Sequence, residues 1–244
     1  MIPIGDENVG RRAAPIVNYA LIAANTIVFL FELTLSPSAA EAFFATFGAQ
    51  PAGIVHGQHL WSVLTSLFVH SGWAHLIGNM VFLYVFGDNV EDAMGHLRYL
   101  IFYLLCGIAA AAAQIAVSSA STIPLVGASG AISGVLGAYI LLFPQGRVRS
   151  LIFLGIFFTV IMIPAWVQLG LWFLLQLVLG VVSFSGSQQN GGVAFFAHVG
   201  GFLVGMALVW LFVDRAEVER QRQARQALRS LAAASDHPRR RRPL

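Results

Sequence analysis

The sequence predicts an all-α polytopic membrane protein of six transmembrane helices, and three observations carry that reading. Hydrophobic residues make up 57% of the 244 residues and charged residues only 10%, where a typical soluble domain is roughly a quarter charged. Mean hydropathy is +0.76, more apolar surface than a water-soluble domain of this size can hide. The basic charge is 14 arginines and no lysine, gathered into clusters that divide the chain into apolar stretches. The same figures exclude a disordered chain, a coiled coil and an ordinary soluble globule. They give no reason to expect a nucleic-acid partner. The single cysteine, Cys106, excludes an intramolecular disulfide and a cysteine-based zinc site.

The order of spans follows from the arginines. They stand at Arg11 and Arg12, at Arg98, at Arg147 and Arg149, and from Arg215 onward. Positive residues in short loops mark the cytoplasmic side. Each arginine-free stretch (13–97, 99–146 and 150–214) must therefore leave and return, and holds an even number of spans. A span needs about 20 apolar residues. The first stretch takes spans at 16–35 and 71–90, joined by a long outer loop, 36–69. The second takes two spans around a short outer loop at 118–122. The third takes spans at 165–183 and 193–213, which leaves 151–163 as an interfacial or re-entrant segment.

A membrane core at 13–213 then lies between two cytoplasmic tails, 1–12 and 214–244. Prolines and acids before residue 16 give no cleavable signal-peptide pattern. Phe43, Phe44, Phe47 and Trp61 place part of the first outer loop in the membrane interface. Glu91 and Asp92, at the inner end of the second span, are expected to cap or pair locally, with Arg98 as a partner. The last tail reads as a polar helix to Ala234 and an arginine run at 239–242, a topology anchor by its charge. The expected location is the bacterial plasma membrane, with the lipid bilayer as constant partner.

Polar groups inside spans are costly and point to function. The second span carries His75 and Asn79, with His70 just before it. The fourth carries Ser129 and Ser133, and the sixth carries His198. Counted from the outer end of each apolar run at 1.5 Å per residue, Ser129, His198 and His75 all lie about 6–7 Å down, and Asn79 about 12 Å. His75 and Asn79 are four apart and share a helix face. Gly130, Gly134 and Gly137 form a small-residue stripe beside Ser129, and Ala197, Gly201 and Gly205 form another beside His198. Such stripes let helices meet closely in lipid. If the two face each other, a hydroxyl and an imidazole come within hydrogen-bond reach. His198 would then take the proton of Ser129 as general base and return it to a leaving amine as general acid. Asn79, His75 and the Ser129 backbone N–H would hold the oxyanion. No acid lies at that depth, so the site is a Ser–His dyad. Ser133 and His70 are expected at the rim of a water-filled cavity, along with the polar loop 185–190.

Other protease chemistries fit less well. There is no His-Glu-x-x-His, His70 and His75 are awkwardly spaced for one metal on one helix face, and no aspartate pair lies within the spans. Neither a metal nor a cofactor is expected.

Three motifs together resemble the rhomboid family of intramembrane serine proteases: His70-x4-His75-x3-Asn79, Gly127-Ala128-Ser129-Gly130, and Ala197-His198-x2-Gly201-x3-Gly205. The resemblance implies a six-span rhomboid-like bundle that hydrolyses transmembrane segments of other membrane proteins near the outer face. It implies Ser129 as nucleophile, His198 as base, and His75 and Asn79 as oxyanion residues. The chain departs from the family pattern where Trp61 is followed by Ser62 and where Ser133 replaces a tyrosine that packs on the base. Nothing in the sequence is then assigned to orient His198. The alternative is a non-catalytic protein of the same fold that binds transmembrane clients.

Overall fold

The structure is a computed structural model describing residues 1–7, 10, 12–154, 157–185 and 194–235. Among these the chain runs β1 (Ile2–Asp6), α1 (Ile16–Glu32), α2 (Pro37–Phe47), α3 (Pro51–Val55), α4 (Ser62–Thr65), a 3-10 turn (Ser66–Phe68) and α5 (Trp73–Met94). It continues through α6 (His96–Val117), α7 (Ser129–Leu142), β2 (Arg147–Leu154), β3 (Phe157–Pro164), α8 (Ala165–Ser185), α9 (Phe195–Phe212) and α10 (Arg215–Ser235). The arginine run 239–242 and the polar residues 186–190 lie outside the described residues.

The molecule is an integral membrane protein, and among the described residues three helices are long and apolar enough to cross a bilayer: α6, α9 and the Ala165–Ser183 part of α8. Helices α1 and α7 are apolar but shorter, at 17 and 14 residues. Helix α5 has 22 residues but carries Asp88, Glu91 and Asp92 near its C-terminus.

The all-α expectation is overturned in one place. Segment 151–163, expected as interfacial or re-entrant, is extended rather than helical at residues 151–154 and 157–163. It forms most of a hairpin in which β2 and β3 pair antiparallel, from Arg147↔Pro164 to Leu154↔Phe157. Its isoleucines, valines and phenylalanines suit a pleated surface, and a continuous apolar run has no 3.6-residue period to select a helix. The first residues, read as a tail, add β1 to the same sheet from Ile2↔Leu151 to Asp6↔Val148. Loop 36–69 is also more ordered than a loop. It holds α2–α4 and is pinned by ring contacts of Phe43 with Phe31 and Phe47, and of Phe47 with Trp61, at 5.8, 4.6 and 5.7 Å.

Helix α7 lies at the centre. Eleven of its fourteen residues are buried, the mark of a helix surrounded by protein rather than lipid. It can be surrounded because its glycines admit neighbouring backbones. A Cβ at Gly201 would strike the Gly130 carbonyl, one at Gly205 the Gly134 carbonyl, and one at Gly137 the Phe202 carbonyl. The two small-residue stripes do face each other.

The C-terminal acids of α5 serve the start of α1. Pro15, the N-cap, offers no side-chain acceptor. Glu91 takes its place, accepting from the Val17 and Asn18 amides at 2.9 and 2.7 Å and contacting His96 Nδ1 at 2.5 Å. Asp92 accepts from the Ala13 amide and Gln221 Nε2 at 2.9 and 2.7 Å. These partners stand where Arg98 was expected, because bare amides at a helix start are strong acceptor-seeking groups with a favourable dipole.

Nearby, the Asp6 carboxylate accepts from Tyr139 Oη at 2.6 Å and Asn89 Nδ2 at 2.9 Å. Arg225 of α10 lies 3.9 Å away. Its guanidinium donates to Asn89 Oδ1 at 2.5 Å and Tyr139 Oη at 3.3 Å. Burial, and then the Asp88 carboxylate, push the Asp6 carboxyl from 3.8 up to about 7, against the pull of Tyr139 and Arg225. A carboxyl raised in the folded state contributes stability that is whole below its unfolded value and is lost as pH rises through about 7. Arg225→Ala removes part of the counter-pull. It should lower the thermal midpoint by the equivalent of about 3 kcal/mol near neutrality, and by more at pH 8 than at pH 5. Equal losses at both pH values would remove Asp6 from the effect.

Candidate active site

The loop entering α7 is built to present Ser129. Leu125 pairs with Ala49 through two backbone hydrogen bonds of 2.9 Å, and the Gly127 amide donates to the Ser66 carbonyl at 2.8 Å. Gly127 has φ +111°, and a Cβ there would run into His75 Nε2. Both the backbone conformation and the space demand glycine. The helix begins at Ser129 itself, so its first amides have no partner within the helix. The apolar run from which the depth of Ser129 is counted starts at Pro124, but residues 124–128 precede the helix, so that depth arithmetic does not hold.

Helix α9 begins three residues before His198. Its N-cap residue, Ala194, makes no side-chain cap. Gln114 of α6 supplies one instead, its Oε1 accepting from the Phe196 and Ala197 amides at 3.1 and 3.2 Å. With both helix starts fixed and the glycine stripes in contact, Ser129 Oγ lies 2.8 Å from His198 Nε2. The other imidazole nitrogen, Nδ1, lies 2.7 Å from Gln176 Oε1 of α8.

His75 and Asn79 approach the same turn from α5. The Ser71 amide donates to His75 Nδ1 at 3.4 Å, and the Ser71 hydroxyl lies 3.1 Å from it. An amide donor at Nδ1 puts the ring proton on Nε2, the atom that faces Gly127. Asn79 is buried, and its Nδ2 would stand 3.5 Å from a Cβ at Gly127. That amide also donates to His70 Nε2 at 3.0 Å, while His70 Nδ1 donates to the Phe68 carbonyl at 3.2 Å. The His70 backbone amide donates to Glu32 at 3.2 Å. Burial, and then neighbouring His75, hold the His70 imidazole below its usual range, in keeping with a neutral ring that accepts at Nε2.

The structure thus brings Ser129, His198, His75 and Asn79 around one turn. It places the other two candidates elsewhere than at an open rim. His70 and Ser133 are each 1% exposed. The Ser133 hydroxyl donates to the Ser129 carbonyl at 2.6 Å, the usual internal outlet for a serine inside a helix. Among the described residues, no three His, Cys, Asp or Glu side chains stand together as a metal site. Gln176, Gln114 and Glu32 escaped the sequence reading. The available signal was a polar residue in an otherwise apolar span, the same one that singled out Asn79; applied to the first, third and fifth spans as well it points to Glu32, Gln114 and Gln176.

A family model for the Rhomboid domain matches residues 57–215, which contain all of these side chains except Glu32. The chain is 31% identical to Rhomboid-like protein 11, chloroplastic, of Arabidopsis thaliana over 77% of its own length and 65% of that protein. It is 32% identical to Rhomboid protease GluP of Bacillus subtilis (strain 168), over 81% of its own length and 36% of that protein. Identity to Rhomboid protein 1, mitochondrial, of Saccharomyces cerevisiae is 29%, over 67% and 44%. The chain spans between about a third and two thirds of these relatives' lengths.

The Gly127 turn can be checked apart from any activity. Gly127→Ala should destabilise the protein by more than about 1 kcal/mol, since it combines a positive φ with a clash. Gly78→Ala, in α5 with open space around it, should leave stability unchanged or improve it. Thermal unfolding of both variants in detergent makes the comparison, and equal midpoints would show that the turn tolerates a side chain.

Proposed function

From the premise that this chain belongs to the rhomboid family, we propose that it is an intramembrane serine endopeptidase that cuts transmembrane segments of other membrane proteins near the outer face. The observation that carries the proposal is the 2.8 Å contact between Ser129 Oγ and His198 Nε2, made at a helix start whose first amides are free. Its frame is the six-span reading, in which α1 and α5–α9 cross the membrane of a bacterial cell. The membrane core at 13–213 then lies between two cytoplasmic tails.

In this reading the neutral His198 imidazole takes the Ser129 proton at Nε2 as Oγ attacks the scissile carbonyl carbon. The carbonyl oxygen becomes an oxyanion, stabilised by the Ser129 amide, Asn79 Nδ2 and His75 Nε2–H. The imidazolium then protonates the departing amine as the C–N bond breaks, leaving an acyl ester on Ser129. Water, deprotonated by the same imidazole, hydrolyses that ester. Backbone hydrogen bonds shield the peptide bonds of a stable helix. Substrates with small or helix-breaking residues near the outer end of their span should therefore be cut fastest.

Ser129→Ala and His198→Ala should each abolish cleavage of a transmembrane substrate in proteoliposomes while the fold persists. Persisting turnover by Ser129→Ala would transfer the nucleophile elsewhere, whereas binding of a transmembrane substrate without any turnover by the wild type would favour the client-binding reading. Asn79→Ala should lower kcat about 10²–10³-fold with a smaller change in KM, as for other oxyanion donors. An unchanged kcat would leave the oxyanion to His75 and the backbone.

A further inference from the structure

We infer that Gln176 of α8 is the positioning residue that orients His198 and selects its tautomer. The inference rests on the dyad reading above and adds a third member to it. Gln176 is 8% exposed, and its Oε1 is 2.7 Å from His198 Nδ1. A carbonyl oxygen can only accept, so Nδ1 carries the proton and Nε2 keeps the lone pair aimed at Ser129 Oγ. With the opposite tautomer Nε2–H would donate to the serine oxygen, and the imidazole could not take a proton from it. A neutral amide thus occupies the place that a carboxylate fills in a Ser–His–Asp triad, without burying a charge.

A second contact comes from the same helix. Trp172 precedes Gln176 by one helical turn and shares its face. Its ring lies 5.9 Å from the His198 ring at 38°. Trp172 and Phe173 both pack on Phe202 of α9, at 6.2 and 4.6 Å, so α8 is seated on the helix that carries the histidine. The imidazole is held at its edge by Gln176 and across its face by Trp172. The dyad is therefore in register only while α8 is docked on α9.

The test uses the full chain in detergent, with a fluorophosphonate that phosphonylates an activated serine and ¹⁵N NMR of His198. Wild type should show the Nδ1–H tautomer and label at Ser129. Gln176→Leu, close in shape but lacking the acceptor, should lower the labelling rate and kcat by about tenfold with little change in KM or thermal midpoint. Gln176→Glu keeps an oxygen at the same reach and should restore most of the rate, which a purely structural role would not produce. An Nε2–H tautomer in wild type would overturn the inference even if Gln176→Leu failed to fold. Wild-type labelling by a folded Gln176→Leu protein would overturn it while leaving the dyad intact. Absence of labelling in wild type would count against the dyad itself.

Discussion

The structure depends on one constraint: the backbones of α7 and α9 touch. Between water-soluble helices, side chains fill the gap and apolar burial drives the association. In lipid that drive is absent, and van der Waals contact between closely fitted surfaces takes over. Gly130 against Gly201 and Gly134 against Gly205 leave no room for a Cβ. This closeness lets a side chain as short as serine meet an imidazole from another helix. It also explains why a helix of fourteen residues can occupy the centre: its neighbours, not lipid, surround it.

Close packing sets the separation of the two helices but not their relative height. Height is set where each helix begins, and neither begins by a cap of its own. The turn at Gly127 is strapped to Ser66 and backed by His75, and the start of α9 is held by Gln114 from α6. The start of α1 is held likewise by Glu91 from α5. At α9 and α1 a distant polar side chain satisfies amides that the helix cannot, so polar groups buried in an apolar body help to fix the register of its parts. One end of the bundle gathers Ser129, His198, His75 and Asn79. Asp6, Asn89, Tyr139 and Arg225 tie β1 and α10 together near the other ends of α5 and α7.

Much of this was legible in the residues, for identifiable reasons. Long apolar runs announce helices because a bilayer requires their backbone groups to be satisfied internally, and the six apolar stretches each became a helix within a few residues. Histidine, asparagine and serine stood out against that background, and the glycine stripes marked which faces meet. The hairpin was not legible, because an apolar run buried or lipid-facing on both sides looks alike as strand or helix. Nor was the level of Ser129, since the apolar run from Pro124 begins five residues before its helix. Gln176 was read as part of a span. Its acceptor becomes meaningful only once His198 is seen 2.7 Å away.

What the sequence determined by itself was therefore chemical and one-dimensional: a membrane-embedded chain, its helical segments, the residues able to move a proton, and the surfaces small enough to touch. Those follow from the solvation of each residue and from the period of its own helix, both local properties. Only the tertiary structure decided which nitrogen of His198 faces the hydroxyl, what grips the other, and which acids cap which helix. Each of those is a pairing between groups from 22 to 74 residues apart, and no local pattern records the partner across that distance.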